Sequence, residues 1–258
     1  MLDAALPGNI FIKLSLFLFV MKTIQDERFS MAIQQNLEGS PFYKYVQRVI
    51  DALKSEKVYF WGGAVRDPII NVLHGLDHEI RDFDLTVDDS EKSINFKKIF
   101  DGFEGMYYSR HGTPKWKPIN GVEIDIGPFS AATVLRKNPE LQVNMETILS
   151  SVDITTSAIA YDLEKKAVYS VEALEGIQKK EVNVLYEHGE EPAVIMCRLV
   201  LHGNKLGFEI GQRGKKFIAE RYSPSQDAII KRYLEYKKLE GLSPLVTGKL
   251  KRIQQKSC

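Results

Sequence analysis

Asp82 and Asp84, two carboxylates separated by a single residue, are the strongest chemical signal in the chain. They lie in Arg81-Asp82-Phe83-Asp84-Leu85-Thr86-Val87, where polar and apolar residues alternate. In a strand both Asp side chains point to one face, and Phe83, Leu85 and Val87 point to the other. Neighbouring carboxylates repel and cost stability unless a cation lies between them. An oxygen-only ligand set of this kind suits Mg²⁺, and Mg²⁺ suits phosphate chemistry. An Asp-x-Asp pair by itself also occurs in ordinary solvated strands and loops. Here Gly62-Gly63 stands upstream of it, and a glycine turn lets backbone N–H groups approach a phosphate closely. Arg66 and Asp67 follow the glycines directly.

These residues need elements to hold them. Val58–Trp61 is a short apolar run and reads as a strand. A helix from about Val65 to Leu73 is expected next, with Pro68 near its first turn and Gly75 ending it. Before the strand, Phe42, Val46, Val49, Ile50 and Leu53 recur at helical spacing, which predicts an amphipathic helix over 42–53. Residues 22–35 are mixed and polar and carry no assigned element. After the carboxylates, Ile94–Phe100 reads as helix, Met106–Tyr108 as strand and Arg110–Pro114 as a break. Lys115–Pro118 leads to Asn120-Gly121, a hairpin signal. Val122-Glu123-Ile124-Asp125-Ile126 alternates again, with its acids on one wet face.

At 258 residues and 44% hydrophobic content the chain has material for one large domain or two small ones. A formal charge of +1 means that any nucleic-acid surface must be local. Cys197 and Cys258 are the only cysteines, which excludes a disulfide framework and a Cys-rich zinc site. The apolar run IFIKLSLFLFV, residues 10–20, is too short to span a bilayer and contains Lys13. Asp3 precedes it and no small-x-small cleavage site follows. Met21 comes immediately after, so the run is expected to be a docking helix or a consequence of start choice. The expectation is a cytoplasmic protein without a membrane role. The tail carries Lys215, Lys216, Arg221, Lys231, Arg232, Lys237, Lys238, Lys249, Lys251, Arg252 and Lys256, and no acid follows Gly241. It reads either as a phosphate-backbone contact surface or as a solvated, frayed terminus.

Gly62-Gly63-Ala64-Val65-Arg66-Asp67 followed by Asp82-Phe83-Asp84-Leu85 resembles the head domain of the tRNA nucleotidyltransferase and bacterial poly(A) polymerase family. That family belongs to the polymerase-beta-like nucleotidyltransferase superfamily. Its pattern runs Gly-Gly-x-Val-Arg-Asp, a helix, then Asp-x-Asp-Leu. Ile124-Asp125-Ile126 resembles the superfamily's third catalytic strand, which makes Asp125 the third carboxylate. Glu123 competes with it, because some tRNA nucleotidyltransferases carry a Glu at a comparable place. Ser151-Val152-Asp153 to Tyr161 resembles the family's Arg-Arg-Asp-Phe-Thr-Ile-Asn-Ala stretch, with Asp153, Thr155 and Ala158 matching. Glu191 to Ile210 resembles the neck helix, with a large departure. Where the family has Glu-Asp-x-x-Arg, this chain has Glu191-Pro192-Ala193-Val194-Ile195: Glu191 remains, Pro192 replaces the Asp, Ile195 replaces the first Arg, and Arg198 matches a second Arg one turn later.

The resemblance implies an α+β fold: a nucleotidyltransferase head with a small mixed or antiparallel sheet of about five strands, then a helical neck-like domain. The implied boundaries are an N-terminal extension over 1–40, the head over 41–170 and the neck with its basic tail over 171–258. The implied activity is Mg²⁺-dependent transfer of a nucleoside monophosphate from a nucleoside triphosphate to an acceptor hydroxyl, that of an RNA or tRNA 3′ end. Asp82, Asp84 and Asp125 would be the catalytic metal ligands for two Mg²⁺ ions. Gly62, Gly63, Arg66, Asp67, Asp153, Glu191 and Arg198 would form the nucleotide site, Asp67 by orienting Arg66 or capping local backbone groups. Without the Asp/Arg pair, ordered addition of C-C-A is not expected. Two alternatives stay open: transfer to a small molecule or protein, or a non-catalytic relative that binds a nucleoside triphosphate or RNA.

Overall fold

The computed structural model describes residues 20–78, 83–109 and 112–257. The apolar run at 10–20 therefore lies outside the described residues save for Val20, as do Arg81, Asp82, Arg110 and His111. The chain divides into two compact units. One holds the described residues up to Ser150 together with Ser157–Val171; the other holds Ser151–Thr156 and everything from Glu172.

The first unit is built on one sheet. Its strands in chain order are β1 (Lys22–Ile24), β2 (Val58–Trp61), β3 (Phe83–Val87), β4 (Met106–Tyr108), β5 (Pro114–Trp116), β6 (Ile124–Pro128), β7 (Ile159–Asp162) and β8 (Ala167–Ser170). In space they run β1-β8-β7-β2-β3-β6-β5-β4. Every neighbouring pair is antiparallel except β3 and β6. The parallel pair needs a crossover, and residues 88–123 supply it with the helix Phe96–Ile99 and the β4–β5 hairpin inside.

The sheet has eight described strands where about five were expected. One addition is Lys22–Ile24, which pairs with Val168–Ser170 at one edge. Another is Pro114–Trp116, read from sequence as a break and a lead-in to a turn. Residues 22–39 therefore form part of the first unit's core structure. The helix Glu27–Gly39 starts where the Asp26 carboxylate accepts the Arg28 N–H at 2.9 Å. It turns Phe29, Ile33 and Leu37 inward and packs on the helix Gly63–His74.

The alternation seen in the sequence is realised on the central strands. Phe83, Leu85 and Val87 of β3 and Ile124 and Ile126 of β6 are buried, while Asp84 and Asp125 are half-buried on the opposite face. The helix Gly63–His74 begins two residues earlier than expected, because the Val65 and Arg66 N–H groups already bond the Gly62 carbonyl. Pro68 consequently lies in the helix interior and not in its first turn. Gly75 ends the helix in the left-handed conformation.

The second unit is mainly helical. Its longer helices are Pro192–Leu206, Gln212–Arg221, Asp227–Tyr236 and Ser243–Ser257. Ile195, Met196, Cys197, Leu199 and Val200 of the first of these are fully buried and form its core. A two-residue parallel pair, β9 (Glu181–Val182) and β10 (Glu209–Ile210), joins the segments before and after that helix. The basic tail from Ser243 onward is a helix over the described residues, anchored by the fully buried Val246 and Leu250. No helix among the described residues is long and apolar enough to cross a membrane.

Candidate active site

In the first unit the site grows from strand register. On β3 and β6, Asp84 is the direct partner of Asp125. On the other side of β3, Asp84 is opposite Trp61 of β2. On the other side of β6, Asp125 is opposite Lys115 of β5. Directly opposed residues share a face, so Lys115, Asp125, Asp84 and Trp61 form one row across four strands. Like charges directly opposite each other in a sheet are destabilising. The row therefore places a built-in demand for positive charge at Asp84 and Asp125.

Lys115 meets that demand at one end. Its Nζ donates to Asp125 Oδ1 at 2.6 Å and to Glu123 Oε1 at 3.2 Å. Lys117 Nζ lies 2.8 Å from the other Glu123 oxygen. Burial alone would lower the Lys115 pKa, but the hydrogen bonds and charges of Asp125 and Glu123 outweigh it and raise it. Glu123 shows the converse. Burial acts to raise its pKa, yet the hydrogen bonds from Lys117, Tyr107 and Lys115 push it down to about 2. The strand begins at Ile124, so Glu123 precedes it, while Asp125 sits within it facing Asp84.

The Gly62–Gly63 turn adjoins the same row. Gly62 has φ +57° and ψ −120°, a conformation that costs an L side chain of the order of 1–3 kcal/mol. A Cβ at this position would lie 3.8 Å from Asp84 Oδ2. The turn thus brings the first N–H groups of the helix Gly63–His74, which have no intrahelical acceptors, beside the carboxylate strand. Gly62→Ala is expected to lose on the order of 1–3 kcal/mol of stability in urea titration. A neutral result would show that the turn relaxes without glycine.

Arg66 and Asp67 lie behind this turn. Both are buried, and the Arg66 Nε and Nη2 each lie 2.6 Å from Asp67 Oδ1. A Cβ on Gly63 would lie 3.5 Å from Arg66 Nη2 and 3.7 Å from Asp67 Oδ2. The pair therefore packs directly against the glycine backbone and supports it from within.

In the second unit, Asp153 and Arg198 come together. Arg198 Nη1 lies 2.9 Å from Asp153 Oδ2, an ion pair rather than an aligned hydrogen bond. Burial raises the Asp153 pKa, and the Arg198 charge only partly opposes this. Glu191 stands exposed at the start of the helix Pro192–Leu206, its carbonyl accepting the Val194 and Ile195 N–H groups. Pro192 is the first helical residue, where its missing N–H costs nothing. Ile195 is fully buried where the resembled pattern has Arg.

Lys115 escaped the sequence reading. Its signal is the apolar–polar–apolar triplet Pro114-Lys115-Trp116, which gains meaning only once paired against Ile124-Asp125. Trp116 faces the core and donates its indole N–H to the Glu104 carbonyl at 2.8 Å, which holds Lys115 on the opposite face. Among the described residues no three His, Cys, Asp or Glu side chains cluster as a ready ligand set. The described part of the expected carboxylate set is the pair Asp84 and Asp125.

No protein-family model matches the chain, and no curated protein sequence matches it. Solved structures do. A CCA-adding enzyme in an apo form superposes with a TM-score of 0.59 at 17% identity, covering 86% of this chain and 53% of that one. The Bacillus stearothermophilus CCA-adding enzyme in complex with CTP gives 0.52 at 20% identity, covering 70% and 44%. The Thermotoga maritima CCA-adding enzyme complexed with tRNA gives 0.54 at 16% identity, covering 79% and 50%. The chain spans about half the length of these proteins. A mixed sheet followed by a helical unit is thus a fold that this chain shares with the CCA-adding enzymes.

Proposed function

We propose that the chain is a Mg²⁺-dependent nucleotidyltransferase. It would transfer a nucleoside monophosphate from a nucleoside triphosphate to an acceptor hydroxyl of an RNA such as a tRNA 3′ end, releasing pyrophosphate. The observation that carries this reading is the register pairing of Asp84 with Asp125 beside the Gly62–Gly63 turn. The likeness to CCA-adding enzymes solved with CTP, ATP and tRNA supports it.

The donor chemistry fits a hard divalent cation: carboxylate oxygens on one sheet face, with an ammonium already drawn to one of them. Asp84 and Asp125 would hold Mg²⁺ together with Asp82, which lies outside the described residues. When bound, Mg²⁺ lowers the pKa of the attacking hydroxyl and offsets charge on the triphosphate. Gly63, at the first position of the helix, offers its backbone N–H to the phosphates; the Gly62 N–H, expected from the sequence to do the same, is instead taken by the Ile159 carbonyl at 3.1 Å. The buried Arg66–Asp67 pair holds that turn in place. Asp153, Glu191 and Arg198 are the second unit's candidates for contact with the nucleotide.

Base selection is expected to be loose. Discriminating C from A requires fixed donors and acceptors at the base edge. Pro192 and Ile195 supply none, and Ile195 is sequestered in the core. Purified protein incubated with each labelled nucleoside triphosphate, Mg²⁺ and tRNA lacking its 3′ end is expected to incorporate nucleotide without ordered C-C-A addition. Product sequencing checks it. Strictly ordered C-C-A would refute the selectivity argument, and label appearing only on a small molecule or protein would replace the RNA acceptor. Nucleotide binding without any product would favour a non-catalytic relative.

A further inference from the structure

We infer that Lys115 is a tethered cation that competes with divalent metal for Asp125, so that metal entry requires its ammonium to move to Glu123. The inference rests on the reading of Asp84 and Asp125 as metal-binding carboxylates.

Three observations carry it. Lys115 is the direct cross-strand partner of Asp125, just as Asp84 is on the other side, so the ammonium sits in the carboxylate row itself. The Nζ–Oδ1 distance of 2.6 Å is that of a tight charge-assisted bond. A Mg²⁺ ion lies at roughly 2.0–2.1 Å from its ligand oxygen, so on either oxygen of Asp125 it would sit within a few ångströms of the ammonium, and two cations that close repel. The third observation is an alternative seat. Glu123 Oε1 is already 3.2 Å from the same Nζ. The amine can therefore leave Asp125 without leaving its cluster of acids. Lys117 holds the other Glu123 oxygen at 2.8 Å and keeps that carboxylate in place.

The arrangement has a physical rationale. An uncompensated pair of carboxylates across β3 and β6 would strain the sheet when metal is scarce. An internal ammonium relieves that repulsion, and it opposes the ion that later replaces it. Lys115 is on this account a positioning residue that sets the metal concentration at which the site fills.

The test is Mn²⁺ binding in the absence of nucleotide, followed by electron paramagnetic resonance of the free ion. Lys115→Met is expected to bind Mn²⁺ at least several-fold more tightly than the natural protein, and Lys115→Arg, which keeps the charge, is expected not to. Asp125→Asn added to Lys115→Met should erase the gain. Circular dichroism on each variant establishes that it is folded. Equal affinity in the natural protein and a folded Lys115→Met variant would overturn the inference while leaving the metal-site reading intact. Absence of Mn²⁺ binding in both would overturn the metal-site reading and the inference with it.

Discussion

Asp84→Ala is expected to lower nucleotide incorporation by on the order of 10²–10³-fold or more, the scale on which a group aimed at developing charge contributes, while the protein stays folded. Asp84 is on the polar face of β3, half-buried, with the core residues Phe83 and Leu85 pointing the other way. Truncating it removes one of two carboxylates that oppose each other across the β3–β6 pair. The apolar packing of the strand is untouched, so the loss belongs to the site and not to the fold. Labelled-nucleotide incorporation measured beside thermal unfolding separates the two. Thr86→Ala is the control, one step along the same face and opposite Gly127. Normal incorporation by a folded Asp84→Ala variant would remove the proposed metal-assisted mechanism. Equal losses in Asp84→Ala and Thr86→Ala would point to general disturbance of β3.

Asp67→Ala is expected to destabilise the protein by about 3–5 kcal/mol, because it leaves the buried Arg66 guanidinium without its partner. Domains are commonly stable by only about 5–15 kcal/mol, so this change threatens folding outright. The pair is buried on both sides, with side-chain exposures of 4% and 6%, which sets it apart from the surface ion pairs. Lys57–Glu91, at 3.9 Å and well exposed, should be within about 0.5 kcal/mol of neutral when broken. Urea unfolding measures both. Arg66→Met combined with Asp67→Leu should recover much of the loss, since apolar replacement of a whole buried pair is often neutral. A small effect for Asp67→Ala alone would mean that water reaches Arg66 and that the pair does not brace the glycine turn. Activity in the stabilised double variant then reports whether Arg66 serves the reaction beyond holding the turn.

How much was legible in the sequence depended on whether a feature was local. The strand Val58–Trp61 and the alternation of β3 are visible because side-chain direction reverses at every residue, so polarity alone reveals the two faces. The end of the helix at Gly75 follows from glycine's freedom at positive φ. The Gly-Gly turn and the spaced carboxylates, the basis of the proposed phosphate-handling site, are legible for the same local reason. Sequence left Glu123 and Asp125 as competitors, since both share a face of the run from Val122 to Ile126. Register separates their geometry: Asp125 faces Asp84 within the sheet, and Glu123 lies before the strand. Register is a property of two strands together and no single segment contains it. The same reason hid Lys115, whose partners lie 8 and 10 residues away across a hairpin, and β1, whose three residues acquire a partner only when Val168–Ser170 arrives beside them. It also hid the character of Arg66. In sequence it is an arginine beside a Gly-Gly turn, free to reach a ligand with Asp67 to orient it. In the folded chain it is buried against Asp67 under that turn, because burial is decided by what the rest of the chain packs on top.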